Sequence, residues 1–161
     1  MAHQLENRSK ASASLVVCAS LVEKITNQAA LCRTCEVLGA DQLVLPEPVN
    51  DSWEFRKISA SAQRWQAIDY CAPIRLSQWL AQRNHYTRVA LTLSDSCQVL
   101  TDYAFAAKTL LVLGRELTGI PTDIMTRCDV ALSIPQYGRV ESLNVQTAGA
   151  IAIYEYNRQW R

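Results

Sequence analysis

Apolar residues fall in short runs separated by polar segments: Ser14–Ser20 (SLVVCAS), Gln42–Leu45, Ala67–Tyr70, Arg88–Leu93, Thr109–Leu113 and Val130–Ile134. Most of these runs are continuous rather than strictly alternating, as expected for strands covered on both faces. Between them the spacing predicts helices. Thr26 can cap a helix that Gly39 ends, Pro73 can open one through Gln82, and Pro121 another through about Arg127. A last helix is predicted from about Leu143 to Arg158, with Leu143, Ala148, Ile151 and Tyr154 or Glu155 at near-helical spacing. Strands alternating with helices define an α/β domain with a mainly parallel sheet and helices on both faces.

Composition narrows the picture. With 161 residues, 49% hydrophobic and 19% charged, the chain can bury a core but leaves little room for two domains, so one domain over 1–161 is expected, with 1–13 flexible. Sixteen Lys and Arg against fifteen Asp and Glu give a formal charge of +1, so no global positive field holds nucleic acid, and if RNA is a partner its contacts must be local. The stretch Met1–Ser14 is polar, and no apolar run approaches the ~20 residues of a membrane span. A soluble, cytoplasmic protein without a membrane partner is expected. The six cysteines, at 18, 32, 35, 71, 97 and 128, read as reduced core thiols. Cys32 and Cys35 form a CxxC, but no second pair and no nearby histidine completes a zinc site, His3 and His85 being the only histidines, so no metal is expected.

A parallel α/β sheet invites a dinucleotide-binding reading, yet no glycine loop follows the first strand, where the sequence runs SLVEKITNQAALCR. Four of the five glycines (114, 119, 138 and 149) lie in the last third, which is where backbone close to a ligand is expected. Three segments draw attention. In Asn27–Gly39 (NQAALCRTCEVLG), Arg33 falls off the Leu31, Cys35, Leu38 stripe and is free to face a cleft, or simply solvent. In Leu110–Pro121 (LLVLGRELTGIP), a strand runs into a loop with glycines on both sides of Glu116, either a ligand loop or a plain strand-to-helix turn. In Ala131–Tyr156, Ser142 and Asn144 stand at the opening of the last helix, where Ser142 can act as its cap.

Taken in order, Asn27 to Arg33, Gly114-Arg115-Glu116 with Gly119, and Ile134-Pro135 with Ser142-Leu143-Asn144 resemble the SpoU/TrmH branch of the SPOUT methyltransferase superfamily. The resemblance runs from Leu15 to Gln159, with Ser59-Ala-Ser-Ala62 also in place. It implies a deep trefoil knot in the C-terminal third and S-adenosylmethionine bound there, mainly through backbone, between Leu91, Thr92, Leu93, Gly114, Ile134, Pro135, Leu143 and Ala148. Arg33 matches the family's catalytic arginine, while Asn27, Glu116, Ser142 and Asn144 match the polar residues that shape its site. A homodimer is implied, each site being completed by the partner, and the apolar and aromatic residues Ile151, Tyr154 and Trp160 suit such a contact.

Two positions depart from the family pattern. Gln28-Ala29-Ala30 replace a Gly-Asn after Asn27, which resembles the subgroup that methylates a tRNA guanosine ribose, and Arg115 replaces an Asn beside Glu116. The resemblance therefore implies transfer of a methyl group to the ribose 2′-hydroxyl of a guanosine in the tRNA D-loop, with ribosomal RNA or an anticodon nucleotide as alternative acceptors. DNA is not an expected partner. In-line displacement on a sulfonium methyl rests on placement and calls for no metal. Arg33 is either the base for the hydroxyl proton or, given a guanidinium pKa above ~12, a phosphate ligand that stabilises the developing alkoxide. An RNA-binding scaffold of the same fold, and a nucleotide-dependent oxidoreductase, are the other classes weighed; the missing glycine loop speaks against the second. With so little net charge the chain is expected to bind RNA weakly, as a minimal enzyme or as the catalytic part of a longer protein.

Overall fold

The computed structural model describes residues 13–49, 51–94 and 96–161; the expected flexible segment, Ala13 apart, and His3 lie outside them. Among the described residues seven strands form a single sheet: β1 (Ser14–Cys18), β2 (Gln42–Leu45), β3 (Ile68–Tyr70), β4 (Thr87–Leu91), β5 (Gln98–Val99), β6 (Lys108–Leu113) and β7 (Val130–Ser133). Their order is β3-β2-β1-β6-β4-β7-β5, and every recorded pairing is parallel. Among the described residues four α-helices connect the strands, α1 (Ile25–Leu38), α2 (Trp53–Ser59), α3 (Leu76–Ala81) and α4 (Thr122–Met125), and α5 (Val145–Trp160) follows the last.

Alternate residues of the central strands feed two cores. Leu15, Val17, Leu43, Leu45, Val89, Leu111 and Leu113 pack with Leu31 of α1, Phe55 of α2 and Ile153 of α5. Val16, Cys18, Val44, Leu110 and Val112 face the other way, against Leu76 and Leu80 of α3 and Ile124 of α4. Burial on both faces is why the runs read as continuously apolar. Cys18, Cys32, Cys35 and Cys71 are buried and all six cysteines are unpaired. Burial pushes the Cys18 and Cys32 thiols up to about 11, which leaves them protonated and unreactive at neutral pH.

The structure corrects several boundaries. The first strand stops at Cys18 and the fourth at Leu91, because the chain turns away from the sheet toward its carboxyl edge. Lys24, not Thr26, occupies the N-cap of α1, and its carbonyl accepts from the Asn27 and Gln28 amides at 3.0 and 3.1 Å. Gly39 does end that helix, at φ 72°. Pro73 opens a single 3₁₀ turn ahead of α3, and α4 is one turn long. The last helix begins at Val145, capped by Asn144 rather than Ser142: the Asn144 side chain accepts from the Gln146 amide at 2.8 Å. Its inward face matches the expected one only in part. Gly149, Ala152, Ile153, Glu155 and Tyr156 are buried and Ala148 packs on the core, whereas Leu143, Ile151 and Tyr154 are exposed. No helix among the described residues is long and apolar enough to cross a membrane.

Candidate active site

The carboxyl ends of β4, β6 and β7 lie side by side, and in parallel α/β sheets that edge is where ligands bind. Each strand continues into a loop: Thr92–Leu93 after β4, Gly114–Gly119 after β6 and Ile134–Asn144 after β7. Together with the start of α1 and α5 they enclose a cavity of about 660 Å³, within the ~300–1,000 Å³ typical of small-ligand sites. Its walls include Leu91, Thr92, Leu93, Gly114, Ile134, Leu143 and Ala148, with Asn27, Glu116, Ser142 and Asn144 as polar lining. Pro135 lines an adjoining cavity that shares Leu93, Ile134, Gln136 and Glu141 with the first.

The loop after β6 closes on itself. Arg115 and Gly119 exchange backbone hydrogen bonds of 2.9 and 3.1 Å, and Gly119 adopts a left-handed φ of 69°. Gly114 is forced by close approach: a Cβ there would sit 2.7 Å from the Gly119 carbonyl carbon. This tight loop carries Glu116 to the amino end of α1. One carboxylate oxygen accepts from Asn27 Nδ2 at 2.9 Å and from the Lys24 amide at 3.0 Å, and the other accepts from the Glu23 amide at 3.1 Å. Since α1 has no side-chain cap of its own, Glu116 serves as a remote cap, an anion at the positive end of the helix dipole. Partial burial works to raise its pKa, but the hydrogen bonds from Asn27, Lys24 and Glu23 outweigh it and hold the carboxyl below the ordinary range.

Asn27, only 8% exposed, passes the connection on: its Oδ1 accepts from Asn144 Nδ2 at 3.1 Å, and Asn144 caps α5. Residues from all three singled-out segments are thus joined in one hydrogen-bonded chain. Arg33 stands apart. It projects from the outward face of α1, exposed, and lines neither cavity. Sequence reading passed over Lys24, Gln136 and Glu141 on the cavity wall and noted Arg115 only as a departure. Glu141 adjoins Ser142, and Lys24 precedes the first motif residue by three positions, so adjacency was the one available signal. Arg115 Nε lies 3.4 Å from Glu23 Oε1, a second tie between the β6 loop and the approach to α1.

A parallel sheet whose carboxyl edge is closed by the β6 and β7 loops, with a polar triad against apolar walls, defines an α/β protein built to hold a small ligand next to an open surface. The match to the SpoU rRNA Methylase family model over residues 14–154 makes it more specific: the chain belongs to that family. It is 40% identical over 154 residues to the tRNA (guanosine(18)-2′-O)-methyltransferase TARBP1 of Mus musculus, covering 93% of this chain and 10% of the mouse protein. A tRNA (guanosine(18)-2′-O)-methyltransferase of Aquifex aeolicus is 30% identical over 157 residues, covering 96% of this chain and 72% of that one. The crystal structure of the Aquifex aeolicus TrmH/SpoU tRNA modifying enzyme superposes with a TM-score of 0.75 at 28% identity, over 96% of this chain and 78% of that one. The chain spans about a tenth of the length of the mouse relative.

Proposed function

We propose that this chain carries the methyl-transfer centre of an RNA 2′-O-ribose methyltransferase, with S-adenosylmethionine in the cavity and a tRNA D-loop guanosine as acceptor. The observation that carries the reading is the Asn144–Asn27–Glu116 chain of hydrogen bonds, which fixes the three motif segments around one cavity. The relatives named as guanosine methyltransferases support the choice of acceptor. The residues present fit the cofactor: Leu91, Ile134, Leu143 and Ala148 offer apolar walls to a flat base, and the loops after all three strands contribute residues to the same space. When bound, the cofactor supplies an electrophilic methyl group on a sulfonium centre.

The protein's part is placement and electrostatics. Glu116 holds the β6 loop against α1, and Asn27 and Asn144 fix the start of α5, so the wall on which Ser142 and Leu143 lie is held rigid. Arg33 offers a planar fork of donors to an RNA phosphate and to the developing alkoxide. Its exposed position outside its own cavity supports a homodimer in which it completes the partner's site. Exposed Val37 on α1 and Ile151 and Tyr154 on α5 supply apolar surface for that contact. The same reading includes a single domain, a trefoil knot formed by the C-terminal third, a cytoplasmic location, and modest RNA affinity with a shallow salt dependence.

The test is calorimetric titration with S-adenosylmethionine, then methyl transfer to bulk tRNA with mapping of the modified nucleoside. Saturable cofactor binding and a 2′-O-methylguanosine in the D-loop are expected. Absence of cofactor binding overturns the reading, and a methyl group on an anticodon pyrimidine or on ribosomal RNA overturns the acceptor. A crystal structure traced through residues 114–144 checks the knot.

A further inference from the structure

The segment from Trp53 to Trp65 takes no part in the cavity, although it contains the Ser59-Ala-Ser-Ala62 motif. Its inward positions are Phe55, Ser59, Ala62 and Gln66, all buried, at steps of four, three and four residues. One inward stripe therefore continues from α2 through the following 3₁₀ turn, Ala62–Arg64, which packs on α1. The outward positions are of a different chemistry. Trp53 is 68% and Trp65 79% exposed, and between them Arg56, Lys57 and Arg64 are exposed, with Glu54 the one acidic residue of the segment. Two large indoles left in solvent are unusual on a surface that has no partner.

The chain takes on backbone strain to keep this arrangement. Ala60 and Ser61 both lie in the left-handed region, at φ 51° and 72°, where residues other than glycine are uncommon. They make the turn that carries Arg64 and Trp65 outward beyond the end of α2, while the Ser59 hydroxyl donates to Gln63 Oε1 at 2.6 Å across that turn. On α2 itself the Lys57 ammonium sits 4.8 Å from the centre of the Trp53 ring, a cation–π pair that orders both side chains. Trp65 makes no ring contact among the described residues.

Flat aromatic faces alternating with cations are the surface that takes unpaired RNA: bases stack on the rings and phosphates meet the basic side chains, whatever the sequence. We infer that the outward face of Trp53–Trp65 is a second RNA-contact surface, which grips a single-stranded loop of the substrate RNA away from the methyl-transfer cavity. The inference rests on the RNA reading above and deepens it. It also gives a nearly neutral chain a local cationic contact, since Arg56, Lys57 and Arg64 outnumber Glu54.

The experiment compares binding of labelled bulk tRNA by the full chain and by three variants at several salt concentrations. Trp53→Ser/Trp65→Ser removes stacking and should weaken binding about ten-fold, whereas Trp53→Phe/Trp65→Phe keeps aromatic faces and should recover most of it. Arg56→Gln/Lys57→Gln/Arg64→Gln should weaken binding and reduce the salt slope by roughly two to three. All substitutions are at exposed sites, and circular dichroism confirms that each variant is folded. Parent-like affinity in both the serine and the glutamine variants overturns the inference and leaves the methyltransferase reading standing. Conversion of a parent dimer to monomer by the serine variant also overturns it, reassigning the face to contact between copies. A parent chain that binds no tRNA at all overturns both.

Discussion

Gly114 and Glu116 show how much the site depends on single residues. An alanine at 114 would press its Cβ on the Gly119 backbone at 2.7 Å, and backbone held by the Arg115–Gly119 hydrogen bonds cannot yield as a side-chain tip would. Gly114→Ala should therefore lower stability by about 1–3 kcal/mol, read as a shift in the urea midpoint. Glu116 makes the site sensitive to acid. Its folded pKa is depressed, so its stabilising contribution is complete above the unfolded carboxyl value of about 4.3 and is lost as pH falls through the folded value. Asp129, paired with Arg88 at 2.8 Å, and Glu155, paired with Arg158, have depressed pKa values through their own partners and act in the same direction. Glu116→Gln should lose stability at neutral pH, since its amide would face the Glu23 or Lys24 N–H, and should flatten the fall below about pH 4.3. Thermal unfolding from pH 3 to 7 checks both, and an unchanged acid slope would contradict the role of these hydrogen bonds.

Among the elements, α5 is the one that sequence periodicity described least well. Its existence was plain, but its inward face was misplaced in part because Gly149 and Ala152, not the larger Ile151 and Tyr154, go against α1 and the sheet. Small residues carry little hydrophobic signal, yet they allow close packing: a Cβ on Gly149 would meet Leu31 Cδ2 at 2.9 Å and Leu113 Cδ1 at 3.2 Å. Gly149→Val should accordingly lift α5 from α1, cost about 2 kcal/mol, and weaken cofactor binding through Ala148 on the cavity wall. Differential scanning fluorimetry with and without S-adenosylmethionine measures both. Six of the strands were legible as apolar runs, most plainly β1, β2 and β6, whose alternate residues feed both cores. Two elements left no readable trace: β5 has two residues, and α2 buries only Phe55 and Ser59 in seven. In the site, the motif residues stood out by type and order. Lys24 and Glu141 did not, since a cavity wall recruits neighbours by backbone path, and a remote cap such as Glu116 on α1 cannot be inferred from local spacing.

At the scale of the whole molecule, the separation of Arg33 from its own cavity leads to a complementation test of the proposed dimer. Arg33→Ala should abolish turnover with cofactor affinity nearly unchanged, and Arg33→Lys should fail as well for want of the planar fork. Mixing Arg33→Ala with Gly149→Val, whose cofactor binding should be weakened, should restore activity in heterodimers, because one composite site then has an intact cavity from one copy and an arginine from the other. Activity retained by the lysine variant, or no recovery on mixing, would contradict that geometry. The bonds from Asn27 to Glu116 and to Asn144 join positions 89 and 117 residues apart. Contacts of such separation form late, because the loop-closure entropy precedes the gain. A ribosome making this chain from its amino terminus releases Asn27 and most of the sheet well before the residue that completes the triad. The nascent protein is thus without a complete site until the segment through Asn144 has left the ribosome.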